Sequence, residues 1–349
     1  MANIVIVLWH SIEEYDQLRL LTEIGHNVYS IGAYSNPHEP GDDKRPALPD
    51  VPYFADLHAA TNRSYAAGIE PKQALPPELL DWADIVIYHH RLEDLYGQWN
   101  ERIAPWLTAN DSRRVIWRTV GQSVANNEAE AAPFRNAGME VVRYSPKEAN
   151  IPGYVGADAL IRFYKDPDEW SGWTGEDARV INITQHLKAR DPYTNWRFWE
   201  AVTEGFPRMP LGPGSEDIGG TGPLTNDEMK AWLRRGKVYL YTGTQPASYT
   251  LGLIEAMMTG IPIISIAPQF MGVFPYGSDL FEGHEIAGNC GTASDGYQRT
   301  DEQVIANTRV MLGDFLGKDL AWESARTRAR AIELFGIDVI REQWRAFLG

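Results

Sequence analysis

The sequence is poor in the features that mark secreted and membrane-spanning proteins. Its 349 residues include a single cysteine, Cys290, so a disulfide framework is excluded and a reducing compartment is favoured. No stretch approaches the roughly 18 uncharged apolar residues of a membrane-spanning helix. The first ten residues also lack the basic region of a secretory signal. We therefore expect a cytoplasmic protein without a transmembrane segment.

Positive charge is also scarce. The formal net charge is −15, and residues 1–165 carry 15 Lys and Arg against 22 Asp and Glu, with 17 against 25 in the remainder. Neither half is a basic module, which disfavours broad contact with nucleic acid or anionic lipid. A local basic groove is still compatible with this balance, and five arginines could form one: Arg91, Arg113, Arg114, Arg118 and Arg143.

Several chemical motifs are missing. The sequence has no Cys and His spacing typical of zinc and no Asp-x-Asp pair at the end of a predicted strand. It has no Gly-x-x-x-x-Gly-Lys phosphate loop and no Gly-x-Ser-x-Gly nucleophile elbow. We therefore expect no metal site and no serine-hydrolase chemistry.

What the sequence does contain is an alternation of short apolar, β-branched runs with helical patterns. This alternation predicts parallel α/β sheets. It restarts after a polar connector at 166–177, which predicts two doubly wound Rossmann-like domains facing across a cleft, with ligands at the carboxyl ends of the strands. The predicted strands lie at 3–9, 27–34, 83–90, 113–121, 139–145, 178–184, 236–243 and 261–267. One large irregular α/β domain is the alternative, since length alone does not decide.

The stretch ASYTLGLIEAMMTGIPIISI, residues 247–266, follows one of these strands and begins a helix. The first amides of a helix lack intrahelical partners and lie at its positive end, so Tyr249, Thr250, Leu251 and Gly252 form a candidate anion site. Glu255 lies one turn further and could accept hydrogen bonds from two neighbouring hydroxyls of a sugar. A core helix with an incidental acid is the alternative.

These residues resemble the donor-site signature of GT-B glycosyltransferases, in particular the retaining family 4. The resemblance implies that Glu255 binds the donor ribose and that the amides of residues 249–252 hold the diphosphate. The family has a first Glu where this sequence has Ala247, which leaves open a non-catalytic sugar-nucleotide-binding protein. A GT-B sugar phosphorylase or epimerase also stays open.

Other segments resemble the same family in order along the chain. ITQHLKARD, which contains His186, implies Lys188 and Arg190 as cations on the donor phosphates. The turn before NDEMKAWLRR implies that the backbone of Pro223 and Leu224 contacts the nucleotide base. In the first half, polar residues follow three strands on the expected acceptor side, and His90 and Arg118 are the catalytic candidates among His10, His89, His90, Arg118 and Gln122.

The resemblance implies an acceptor-side domain over 1–165, a linker over 166–177 and a nucleotide-sugar domain over 178–325. A final helix over 326–349 would cross back to the first domain. The implied activity is metal-independent transfer, with retention, from a UDP- or GDP-sugar, with no permanently bound cofactor. The acceptor stays open among a glycan, a small molecule, a protein and a modified nucleic-acid base. The loop at 36–50 and the tryptophans at 99, 106 and 117 are candidates for a carbohydrate surface, although tryptophan is also common in cores.

Overall fold

The computed structural model describes residues 1–32, 54–120, 123–268, 270–281, 289–290 and 300–349. The loop at 36–50 and Gln122, both named above, lie outside the described residues. The chain divides into two compact units. Unit 1 comprises residues 1–144, 151–161 and 341–349, and unit 2 comprises residues 145–150 and 162–340. Each unit holds one parallel sheet with helices, which confirms the predicted α/β class.

Unit 1 is built on a sheet whose described strands run in the order β2-β1-β3-β4-β5-β6, all parallel. Because the chain moves from β1 outward to β2 and then returns to the other side of β1, the strand order reverses between β1 and β3. The strands and helices of this part, in chain order, are β1 (Asn3–Val7), α1 (Ser11–Glu23), β2 (Asn27–Ile31), α2 (Phe54–Ala66), α3 (Pro77–Trp82), β3 (Ile85–His89), α4 (Glu93–Tyr96), α5 (Ala104–Thr108), β4 (Arg114–Arg118), α6 (Ala125–Asn136), β5 (Glu140–Arg143) and β6 (Ala159–Leu160). A π-helical turn, Trp99–Ile103, precedes α5, and a 3-10 turn, Pro146–Asn150, follows β5.

Unit 2 repeats this arrangement with the described order β11-β10-β9-β7-β8, again parallel. Here the order reverses between β7 and β9. Its elements are β7 (Asp177–Ile183), α7 (Trp196–Thr203), β8 (Arg208–Leu211), α8 (Asn226–Arg235), β9 (Gly236–Tyr241), α9 (Leu251–Thr259), β10 (Ile263–Ser265), β11 (Asn289–Cys290), α10 (Asp301–Gly317), α11 (Ala321–Phe335) and the start of α12 (Ile337–Leu348). Short 3-10 turns lie at Glu216–Ile218 and Phe270–Gly272.

The central strands are covered on both faces, which explains their unbroken apolar sequence. In β1, Ile4, Val5, Ile6 and Val7 are all buried. Helix α9 is likewise buried around most of its surface, from Leu253 to Thr259, and a helix that is apolar all round is a core helix.

One face of the unit 1 sheet packs against a large apolar core. The tryptophans named above as candidates for a carbohydrate surface lie in this core, since Trp99 and Trp106 are 6% exposed and Trp117 is fully buried. The indole nitrogen of Trp106 donates to the carbonyl of Leu80, and that of Trp117 to the carbonyl of His90. The interpretation as a carbohydrate surface was therefore wrong for these three side chains, and the alternative of a core role holds, because all three pack in the apolar core of the unit.

None of the helices in the described ranges is both long enough and apolar enough to cross a membrane.

Candidate functional site

Three loops of unit 2 meet at the carboxyl edge of its sheet, where the strand order reverses. They follow β7, β8 and β9, the three adjacent strands. The His186 amide donates to the Pro213 carbonyl at 2.8 Å, and the Gln245 amide donates to the Tyr193 carbonyl at 2.8 Å. The side-chain amide of Asn195 donates to the Thr242 carbonyl at 2.8 Å. In doubly wound sheets this edge is where ligands bind, so these bonds tie together the loops that would form a site.

Helix α9 begins at this edge. Thr250 is its N-cap in an extended conformation, and the Leu253 amide is bonded to the Thr250 carbonyl at 3.2 Å. The helix start lies close to the end of β7, because a Cβ added at Gly252 would lie 3.3 Å from the carbonyl oxygen of Ile183. Thr250, Leu251 and Gly252 are half-buried. The predicted anion-binding segment is therefore a helix N-terminus at the sheet edge, with the positive end of the helix dipole directed there.

Glu255 lies one turn into α9 and is 5% exposed. Its Oε1 is 2.9 Å from the Nζ of Lys165, which is 1% exposed. Sequence reasoning missed Lys165. The signal for it in the sequence was a lysine directly after two aromatic residues in the stretch IRFYK. A lysine in such a place is either a buried cation with a partner or a side chain that reaches solvent.

Tyr249 is buried against aromatic rings, with centroids 6.3 Å from Phe163 and 5.5 Å from Phe335. The guanidinium carbon of Arg162 lies 5.7 Å from the Tyr249 ring, and Arg162 forms an ion pair with Asp279. Burial acts to lower the pKa of Arg162, but Tyr249 and Asp279 outweigh it and raise that pKa. The segment that precedes α9 thus contacts a second cation, the partly buried Arg162, which sequence reasoning also missed.

The predicted phosphate cations occupy the loop after β7. Lys188 and Arg190 are exposed, as is His186. The Arg190 amide donates to the His186 carbonyl at 3.0 Å, and the Nζ of Lys188 lies 5.6 Å from the Trp196 ring. These side chains are at the same sheet edge as α9, and their contact with phosphate remains a prediction.

Pro223 and Leu224, predicted to contact the base, immediately precede α8. Pro223 is exposed and Leu224 is half-buried. Thr225 then caps α8 in a capping box with Glu228, which fixes the direction in which the chain leaves the loop. The loop before them is closed by a bridge between Gly212 and Gly222.

The two catalytic candidates of unit 1 lie at the ends of neighbouring strands. His90 follows β3 with φ at 65°, and burial lowers its pKa. Arg118, the last residue of β4, is 1% exposed and donates to the carbonyl of Ile161. The two residues therefore share the carboxyl edge of the sheet, as predicted from the strand pattern, and their roles in catalysis remain predictions.

The structure adds a buried pair beside them, at the place where the strand order of unit 1 reverses. The His89 side chain is fully buried, and its Nδ1 lies 3.9 Å from a carboxylate oxygen of Glu13 in the first turn of α1. Burial lowers the pKa of His89 well below its usual range, and Arg118 and His10 add to that shift. In the sequence, Glu13 indicates only the start of a helix, because strand periodicity does not reveal which strand end a helix start will contact.

Within the described ranges, no cluster of three or more His, Cys, Asp or Glu side chains could hold a metal ion.

No protein-family model matches this chain, and no curated protein matches its sequence significantly. Solved structures do match over its full length. A glycosyltransferase from Rickettsia africae ESF-5 is 10% identical with a TM-score of 0.64, and the match covers 99% of this chain and 97% of that one. The Anabaena HepE protein in complex with UDP-glucose is 11% identical with a TM-score of 0.62, covering 100% of this chain and 99% of that one. At such identity the likeness concerns the fold, and this chain has the GT-B fold of those glycosyltransferases.

Proposed function

We propose that this protein is a glycosyltransferase that binds a nucleotide-diphosphate sugar in unit 2. The observation that carries the proposal is the N-terminus of α9, with Glu255 one turn inside it, at the reversal point of the unit 2 sheet. A helix N-terminus at that edge favours a diphosphate. The binding of UDP-glucose by the Anabaena protein of the same fold supports the same ligand class.

In this proposal the amides of Thr250, Leu251 and Gly252 hold the diphosphate, together with that of Tyr249. Glu255 accepts hydrogen bonds from ribose hydroxyls. Pro223 and Leu224 contact the base through their backbone, and His186 lies on the nucleotide side of the same edge. Lys188 and Arg190 offset the negative charge that develops on the leaving diphosphate.

The reaction breaks the bond between the anomeric carbon and the diphosphate oxygen, and it forms a bond from that carbon to an acceptor oxygen. The acceptor proton passes to the departing diphosphate, which leaves on the same face of the sugar, so the configuration is retained. No metal is required, because cations and helix amides of the protein stabilise the leaving group. His90 and Arg118 act on the acceptor side.

Isothermal titration with UDP, GDP, ADP and CDP tests this proposal. At least one should bind. Glu255→Gln should weaken binding of that nucleotide by about 10- to 100-fold, the range expected when hydrogen bonds to a charged group are lost. Glu204→Gln is the control, because Glu204 is an exposed acid between the end of α7 and the start of β8, at the amino edge of the sheet and so opposite the site. A panel without any binder would refute the proposal.

A non-catalytic nucleotide-sugar-binding protein is the second candidate. Ala247, which stands where the resembling family has its first Glu, is buried, so no carboxylate is offered from that position. Turnover separates the two candidates. Hydrolysis or transfer from UDP-glucose in the presence of cell extract supports the enzyme, whereas tight binding without product supports the binding protein.

A further inference from the structure

Lys165 is a buried cation with contacts at both its backbone and its side-chain ammonium. Its amide donates to the Phe335 carbonyl at 2.9 Å, and its backbone forms a parallel bridge with Gly336. Its Nζ lies 5.6 Å from the Trp170 ring and 2.9 Å from Glu255. A buried ammonium costs several kcal/mol unless it is paired, so the location of this side chain depends on the carboxylate of Glu255.

The conformation of Glu255 in turn depends on Lys165. Glu255 lies in a buried helix beside Leu253, Ile254 and Ala256, and its carboxylate Oε1 is 2.9 Å from the Lys165 ammonium. A glutamate that is free to change rotamer loses conformational freedom when it binds a ligand, and this loss reduces affinity. The Lys165 ammonium, buried 5.6 Å from the Trp170 ring and 2.9 Å from Oε1, restricts that freedom before any ligand binds.

We propose that Lys165 is a positioning residue for recognition of the nucleotide ribose. It orients the Glu255 carboxylate toward the hydroxyl groups and does not itself contact the sugar. This inference rests on the proposed function of unit 2. It makes Lys165 a determinant of selectivity for a ribose with free hydroxyls over a sugar that lacks them.

The chain contains a matched control for the loss of a buried lysine. The Nζ of Lys230 lies 5.4 Å from the same indole, that of Trp170. Lys230 is also largely buried, but it pairs with Glu169 at 2.8 Å. Lys230→Met therefore removes an ion pair of similar length, although more exposed, from the same unit and leaves the pair of Lys165 and Glu255 in place.

The experiment compares binding of UDP and 2′,3′-dideoxy-UDP to the full chain and its variants. The unmodified protein should prefer UDP by about 10-fold or more, because the dideoxy sugar leaves the carboxylate without its hydroxyl partners. Lys165→Met should lose most of that preference, and Lys230→Met should keep it. Lys165→Met/Glu255→Gln should bind UDP no more weakly than Glu255→Gln alone, because both changes remove the same interaction.

A Lys165→Met protein that folds and keeps the full preference for UDP would overturn the inference. If that variant does not fold, Lys165→Gln keeps a polar side chain without the charge, and the same loss of preference is expected from it. Absence of any nucleoside diphosphate binding to the unmodified protein refutes the proposed function, and the inference with it. Binding of UDP with an unchanged preference in the Lys165 variants refutes the inference alone.

Discussion

Arg143 and Glu128 form a buried ion pair in unit 1, 1% and 0% exposed at the side chain, with a closest approach of 2.6 Å. Both terminal nitrogens of the Arg143 guanidinium donate to the carboxylate. The carboxylate also accepts from the Ser123 hydroxyl and the Val155 amide. Removal of one partner leaves an uncompensated buried charge. We expect Arg143→Met to lower the free energy of unfolding by about 3–5 kcal/mol, measured by urea denaturation.

The double variant Arg143→Met/Glu128→Gln should lose less than Arg143→Met alone, because it leaves no unpaired charge behind. Arg135 provides a comparison, since its ion pair with Asp158 is partly exposed at 28% and 30%. Arg135→Met should cost about 1 kcal/mol or less. Equal losses for the two arginines would contradict this account of burial.

His89 should make stability depend on pH. Burial lowers its pKa well below the usual 6.5, so the folded protein keeps the ring neutral while the unfolded chain takes up a proton below about pH 6.5. The stability contributed by the neutral ring is fully present above that pH and is lost as pH falls toward the folded pKa. Below pH 6.5 this group should reduce the free energy of unfolding by up to about 1.4 kcal/mol per pH unit.

Urea denaturation between pH 5 and 7 tests this sign. His89→Gln has no titrating group at this position, so its stability should fall less steeply with acidity than that of the unmodified protein. The two curves should approach each other as the pH decreases. Parallel curves over this range would show that His89 does not carry the dependence.

Single residues show where sequence reasoning was sufficient. Glu255 was predicted one turn inside a helix that follows a strand, and α9 has this arrangement because local start and stop signals determine it. Lys165 lies 90 residues earlier in the chain, and periodicity carries no information about which distant side chains will pair. The location of Trp117 was ambiguous in the sequence, since tryptophan is used both in cores and at sugar-binding surfaces.

At the scale of elements, the end of α9 depends on Gly260. It follows the helix with φ at +91°, and a Cβ there would lie 3.1 Å from the Oγ of Ser324. We expect Gly260→Ala to lower the free energy of unfolding by about 1–2 kcal/mol, because an L side chain in the left-handed region is strained. Thermal or urea denaturation measures the change.

Gly317 is the matched control, at the last position of α10. It has no strained φ, and a Cβ added there meets nothing within 4 Å. Gly317→Ala should therefore be neutral or stabilise the protein by up to about 1 kcal/mol through the better helix propensity of alanine. A loss of stability at Gly317 as large as that at Gly260 would argue against conformational strain as the cause.

The elements also show how far the pattern of apolar residues extends. The predicted strands at 3–9 and 113–121 are β1 and β4, which are two and four residues shorter than predicted, because the residue pattern does not mark where regular strand pairing ends. β8 has a weak signal, since its four residues include Pro210. That strand lies at the edge of the described sheet, which is where proline is tolerated.

At the scale of the whole molecule, both sheets reverse their strand order in the same way, between β1 and β3 and between β9 and β7. The sequence predicted this duplication because the β-α alternation stops and restarts. It could not predict which loops would be bonded to one another at the reversal point, since such bonds join backbone groups of separate connections. These bonds join the three loops of the proposed nucleotide site. A bound nucleotide should therefore affect all three loops, which can be tested.

Amide hydrogen exchange on the full chain should locate that site. At a nucleotide concentration 100-fold above Kd, binding stabilises the occupied state by about 2.7 kcal/mol. Exchange should therefore slow by up to about 100-fold at amides that open only when ligand is released. We expect this protection in residues 184–193, 212–224 and 242–255. For Glu255→Gln at the same nucleotide concentration, the protection should fall to about 10-fold or less, because its weaker binding leaves a smaller excess of nucleotide over Kd. Protection centred on the strands and loops of unit 1 instead would contradict nucleotide binding at the N-terminus of α9.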